Sequence, residues 1–148
     1  MSHKIPVSVL VVIHTAALDV LLLERRQRPG FWQSVTGSLD APDEPLAHAA
    51  RREVLEETGL APEQGRLRRW NLVNTFEIYG HWRHRFGPGV THNTEHVFSF
   101  AVAERLPVSL APEEHRAALW LPWREAAQKC FSWSNRDAIL LLGERDGI

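Results

Sequence analysis

Arg52, Glu53, Glu56 and Glu57 crowd into the short string "REVLEETGL". If that string is helical, the three glutamates sit at i, i+3 and i+4, so their carboxylates project from one face. Like charges at that spacing weaken a helix by roughly a few tenths of a kcal/mol per pair, which invites a counter-charge. A hard divalent cation that prefers oxygen, Mg²⁺ or Mn²⁺, would supply it. The alternative is a solvated face on which Arg52 is tethered to Glu56. That pair puts its arginine on the less favourable N-terminal side and neutralises one carboxylate only.

The elements that must hold these groups are legible on either side. Apolar residues recur at Leu46, Ala49, Ala50, Val54 and Leu55, the stripe of an amphipathic helix, and Gly59 ends it as a left-handed cap. Upstream, Val7 to Ile13 and Val20 to Glu24 are β-branched or leucine-rich runs that predict two neighbouring strands. After the turn at Pro29 and Gly30, "FWQSVTG" predicts one short strand and "SLDAPDEP" a loop. Downstream, "WNLVNTFEIY" and "EHVFSFAVA" read as strands, "GHWRHRFGPGVTHNTE" as a long loop, and "LWLPW" as an edge strand halted by Pro122. The arginines at 66, 68 and 69 read as a solvated turn, and Ser134 followed by Asp137 as the start of a closing helix. The expectation is an α+β fold in a single domain over 1–148.

Charge nearly cancels, with 17 basic against 18 acidic residues, so no overall field draws the chain to nucleic acid or to an anionic membrane. The apolar run from Val7 to Ile13 is far too short to span a bilayer. The single cysteine, Cys130, offers no disulfide framework, reads as a small buried hydrophobe, and agrees with a reducing cytoplasm. The chain is expected to be soluble and cytoplasmic.

Extended upstream, the acidic string resembles the Nudix box. Gly37, Glu44, Arg52, Glu53, Val54, Glu56, Glu57, Gly59 and Leu60 take the places of that family's pattern. One departure is visible: six residues rather than five separate Gly37 from Glu44, so either the loop carries an insertion or Asp43 substitutes for the early glutamate. The seven-residue step from Glu44 to Arg52 is intact, which favours the insertion, because a loop absorbs one residue more easily than a helix.

The resemblance implies a mixed sheet sandwiched between helices and Mg²⁺-dependent cleavage, with Mn²⁺ as a substitute, of a small-molecule triphosphate. It makes Glu53, Glu56 and Glu57 metal ligands, with the Gly37 carbonyl as a further one, Arg52 their positioner, and Glu114 a glutamate from a distant loop, with Glu113 as its alternate. Glu56, Glu57 and Glu114 are then the catalytic carboxylates. Further strings, "LLLERRQRPGFWQSVTGS", "FEIYGHWRHRFGPGVTHNTE" and "FSWSNRDAI", resemble Nudix members that release pyrophosphate from 7,8-dihydroneopterin 3′-triphosphate, with dATP as the alternative guest. By that likeness Lys4, Arg25, Thr36, Phe76, Glu77, Ile78, Tyr79 and Ser132 lie near substrate. Arg25 would fork onto phosphate, Phe76 or Tyr79 would stack on the pterin, and Glu77 or backbone groups would meet its amino edge. The tryptophans, Trp32 and Trp133 among them, are expected in the core. "HWRHR" reads as a phosphate-facing or partly disordered basic loop.

Overall fold

Valine and leucine runs form the centre of the protein, which is a computed structural model describing residues 3–145. Strand β1 (Val7–Thr15) pairs with β6 (His92–Val102) in parallel, in unbroken register from Val7 opposite Thr94 to Thr15 opposite Val102. It also pairs antiparallel with β2 (Asp19–Arg25) and β4 (Val35–Ser38). On β2 lie the short β3 (Trp32–Gln33) and β7 (His115–Pro122), and β5 (Arg66–Glu77) closes the far side against β6. The sheet is therefore mixed.

Strand alternation gives the sheet two apolar faces. Val9, Val11, Ile13, Leu21, Leu23, Phe98 and Phe100 meet Ala49, Ala50 and Val54 of α1 (Leu46–Thr58). Leu10, Val12, Leu22 and Val97 meet Ala126 and Ala127 of α2 (Trp123–Lys129) and Ala138 and Ile139 of α3 (Trp133–Arg145). Burying each of the larger side chains contributes about 1.5–3 kcal/mol, so both faces need their helices. This is the sheet between helices that the sequence implied. Helix α1 stops where expected: Gly59 takes φ 76° and its N–H donates to the Leu55 carbonyl at 2.9 Å.

Several boundaries differ from expectation. Arg66, Arg68 and Arg69 are not a turn; they begin β5, whose register shifts between Arg69 and Val73, with Asn71 at φ 56° inside the irregularity. The long loop is shorter than predicted, because Gly80–Arg85 winds into a 3₁₀ turn and β6 starts at His92. "FWQSVTG" is two strands. The break is Ser34, whose N–H donates to the Asn135 side-chain oxygen at 2.8 Å. Helix α2 was not anticipated, and α3 begins at Trp133, capped by the Ser132 hydroxyl, which accepts from the Asn135 N–H at 3.3 Å. Cys130 is partly buried and its thiol is pushed up to about 12 by burial, so it stays protonated. Among the described residues no helix is long and apolar enough to cross a membrane.

Candidate active site

The acidic face of α1 is divided by packing. Glu53 and Glu57 turn toward the sheet, 9% and 1% exposed, whereas the Glu56 side chain stays 55% exposed at the rim. Arg52 organises the cluster with its whole fork. Its Nη1 donates to Glu53 Oε1 at 2.7 Å, its Nη2 to the Ser38 carbonyl at 3.1 Å, and its Nε to Glu44 Oε2 at 2.9 Å. Contact with Glu56 is longer, at 3.4 Å. The bland tether of Arg52 to Glu56 is thus the weakest of its bonds.

Glu44 is the early glutamate. It takes two bonds from Arg52 and one from the Asp40 N–H at 2.8 Å, while Asp43 is exposed and the additional residue is absorbed within the loop. Arg52 holds the Glu44 carboxyl down to about 2. Because that value lies below the ordinary 4.5, the stability the pair contributes is present above the ordinary value and lost as pH falls toward 2. Glu44→Gln is expected to melt below the wild type at neutral pH, and the gap should close between about pH 4.5 and 2. Thermal melts across that window check it, and a constant gap would argue against the pair.

Gly37, on β4, lies against Glu53. A methyl added there would sit 2.0 Å from the Glu53 carboxyl carbon, so only glycine allows this approach. On the other side, the bulge between Glu24 and Arg25 aligns Arg25 with His115 at the start of β7 and brings Glu114 alongside. Donor atoms of Glu57, Glu114 and His115 all lie within 4.8 Å of one another. Glu57 Oε1 has no hydrogen-bond partner although it is fully buried. Burial, and then Glu53, push the Glu57 carboxyl well up, and burial raises Glu53 as well. His115 does not compensate. Burial and Arg25 lower its imidazole to about 4, so its 3.8 Å approach to Glu57 is not an ion pair at neutral pH. An oxygen-rich cluster holding an orphaned buried carboxylate oxygen fits a hard divalent cation.

These carboxylates open into a cavity of about 580 Å³. Lys4, Arg25 and Arg85 line it as well. Burial depresses the Lys4 and Arg25 pKa values, and the neighbouring Arg85 lowers both further. Three crowded cations across from buried carboxylates make a place for something anionic. Arg25 is further fixed by Gln33 Oε1 at 3.3 Å and by the Trp82 ring, 4.8 Å from its centre.

Every residue expected near substrate lines this cavity: Lys4, Arg25, Thr36, Phe76, Glu77, Ile78, Tyr79 and Ser132. So do Gly37, Glu57, Glu113 and Glu114, whereas Arg52, Glu53 and Glu56 stand behind or beside it. Two expectations change. Glu77 is exposed and held by Arg83 at 3.2 Å, so its carboxylate is a poor partner for a buried ring edge. Trp133 is not a core residue. It is 43% exposed, lines the cavity and meets Phe76 edge-to-face at 6.5 Å, while Trp32 is in the core as expected. Asn93, Glu95, Ser134 and Asn135 line the cavity too, unforeseen and nearly fully buried.

Residues 4–142 match the model of the NUDIX domain. The chain belongs to the Nudix family. This Nudix chain is 45% identical, over 93% of its length, to dihydroneopterin triphosphate diphosphatase of Escherichia coli (strain K12), and the match spans 91% of that protein. It is 36% identical to the protein of the same name from Haemophilus influenzae, over 94% of this chain and 88% of the other. The solved structure of the E. coli dihydroneopterin triphosphate pyrophosphohydrolase superposes on the Nudix fold described above with a TM-score of 0.86. Identity there is 44%, covering 94% of this chain and 95% of that one.

Proposed function

We propose that this Nudix chain, acting in the cytoplasm as a single domain over 1–148, hydrolyses 7,8-dihydroneopterin 3′-triphosphate to the monophosphate and pyrophosphate, a step of folate biosynthesis. The observation that carries the reading is the cavity itself. Buried carboxylates and crowded cations occupy one part of it, and an aromatic slot with Phe76 and Trp133 another, within one space of about 580 Å³. A ring that bears a polyphosphate has the same division. The 45% identity to the E. coli diphosphatase, spread over 93% of the chain, supports the pterin as that ring.

Bound Mg²⁺, with Mn²⁺ as a substitute, would supply charge neutralisation at the phosphate oxygens and acidify water, held by Glu53, Glu56, Glu57, Glu114 and the Gly37 carbonyl. The rest falls to the chain. Arg52 keeps the Glu53 carboxylate aimed inward through its 2.7 Å bond and is a positioning residue. Lys4, Arg25 and Arg85 take phosphate oxygens, with the Arg25 fork pre-oriented by Gln33. Glu56, Glu57 and Glu114 are the carboxylates available to accept the proton of the attacking water as pyrophosphate departs. Tyr79, 45% exposed and stacked on His81, and Ser132 at the start of α3 border the slot for the ring.

Purified protein incubated with dihydroneopterin triphosphate and Mg²⁺ is expected to release pyrophosphate, with kcat/KM above that for dATP. Orthophosphate as sole product would refute pyrophosphate cleavage, and better turnover of dATP would reassign the guest. No turnover of either would leave a ligand-binding scaffold.

A further inference from the structure

Beside the main cavity lies a smaller recess of about 340 Å³ that the hydrolytic chemistry leaves without a task. Arg25, Trp82 and Arg85 border both spaces, whereas Arg28, His81 and His84 border the recess and not the cavity. Two segments supply them, the turn that follows β2 and the 3₁₀ turn Gly80–Arg85. Both are tied down through the backbone. The Arg28 carbonyl accepts from the Phe31 N–H at 3.0 Å, and the Arg85 carbonyl from the Lys4 N–H at 2.8 Å.

Among the described residues no carboxylate lines the recess. Glu24 and Glu77, the acids nearest in sequence to the two turns, are engaged elsewhere, by Arg116 at 3.5 Å and by Arg83 at 3.2 Å. None of Arg25, Arg28, His81, His84 and Arg85 is in an ion pair among the described residues. Desolvation, and then the charges of Arg28, Arg85, Arg25 and His84, lower the His81 imidazole from its ordinary value. Like charges held this close repel, so the arrangement is unfavourable until an anion enters. The Trp82 ring, 4.8 Å from the Arg25 guanidinium carbon, steadies that side chain by a contact that uses none of its N–H groups.

We propose that this recess is an exit site for inorganic pyrophosphate, which reaches it from the cavity across Arg25 and Arg85, the two arginines that both spaces share. The proposal rests on the reading above that pyrophosphate is the leaving group. A small anion with several phosphate oxygens meets the forked donors of three arginines there. The intact substrate is a poor occupant, because the recess has no carboxylate to hold a divalent cation and lies outside the slot that Phe76 and Trp133 flank.

The test measures pyrophosphate binding to the full chain by calorimetry in EDTA. Without a divalent cation nothing bridges the anion to the carboxylates of the main cavity, so the recess is the site that is read. Arg28→Gln is expected to weaken binding about 10-fold, as loss of a charge-assisted contact does, and His84→Gln by a smaller factor. Folding should survive in both, since the Arg28 guanidinium meets only the Phe31 ring, at 6.0 Å, and His84 is exposed. Arg68→Gln, which removes an exposed cation of β5, is the control for bulk charge. Unchanged affinity in both recess variants, or an equal loss in Arg68→Gln, overturns the proposal. With Mg²⁺ and the pterin triphosphate, the inhibition constant of pyrophosphate should rise in Arg28→Gln by the same factor while KM holds. A parallel rise in KM would give the recess to the substrate's terminal phosphate and overturn the exit role. Failure of the pterin reading is seen separately, as no release of pyrophosphate by the wild type, in an assay that shares neither substrate nor metal with the calorimetry.

Discussion

Glu57→Gln is expected to lower kcat by roughly 10²–10³ without lowering the melting temperature. The carboxylate is 1% exposed, one of its oxygens has no partner, and it is the member of the acidic helix that faces both the cavity and Glu114. Glutamine preserves the volume and removes the charge on which the proposed cation binding would depend. Stability should hold or rise, because an uncompensated buried carboxylate is unfavourable in the free protein. Pyrophosphate release at saturating Mg²⁺, alongside a thermal melt, checks both halves. Full activity in the variant would remove Glu57 from the chemistry. Glu56→Gln is expected to lose activity as well, with no change in melting, since that side chain is 55% exposed and weakly held by Arg52.

Gly37→Ala should damage activity and fold together. The added methyl would overlap the Glu53 carboxyl carbon, 2.0 Å from where the Cβ must lie. Glu53 cannot retreat freely, because Arg52 grips it at 2.7 Å and it is mostly buried. Overpacking at such a place costs about 1–3 kcal/mol. Displacing the carboxylate should also lower kcat by on the order of 10-fold or more, as loss of an orienting partner does in metal sites. Gly80→Ala is the control, since a methyl there meets nothing within 4 Å. Equal melting and activity in the two variants would mean that Glu53 shifts without cost.

Much of the scaffold could be read from the chain because its signals are local. The helix carrying the carboxylates has an apolar stripe and a left-handed glycine, and both depend on residues a few places apart. Where tertiary context decided, expectation failed. Arg66 to Arg69 look like a basic turn, yet backbone pairing with β6 makes them strand, and the irregularity at Asn71 hides the alternation. Pro122 reads in the sequence as a stop, although with its φ of −52° it leads directly into α2. The phosphate side of the site was readable for its charge and motif spacing. The ring side was not. "HNTEH" is polar throughout and so suggests a solvated loop, yet in the folded chain Asn93 and Glu95 are buried and line the same cavity as Ser134 and Asn135 of α3. Trp133 is the converse case, a large aromatic residue that the start of α3 leaves exposed at the mouth.

The carriers of the two sets of acceptors are separate. Glu53 and Glu57 ride on α1, which covers one face of the sheet, while Asn93 and Glu95 hang from β6 on the same side as Val97, the face that α2 and α3 cover. Heritable change can therefore act on one without disturbing the other. A base change that alters the cavity lining contributed by β6 leaves the carboxylates of α1 inherited intact.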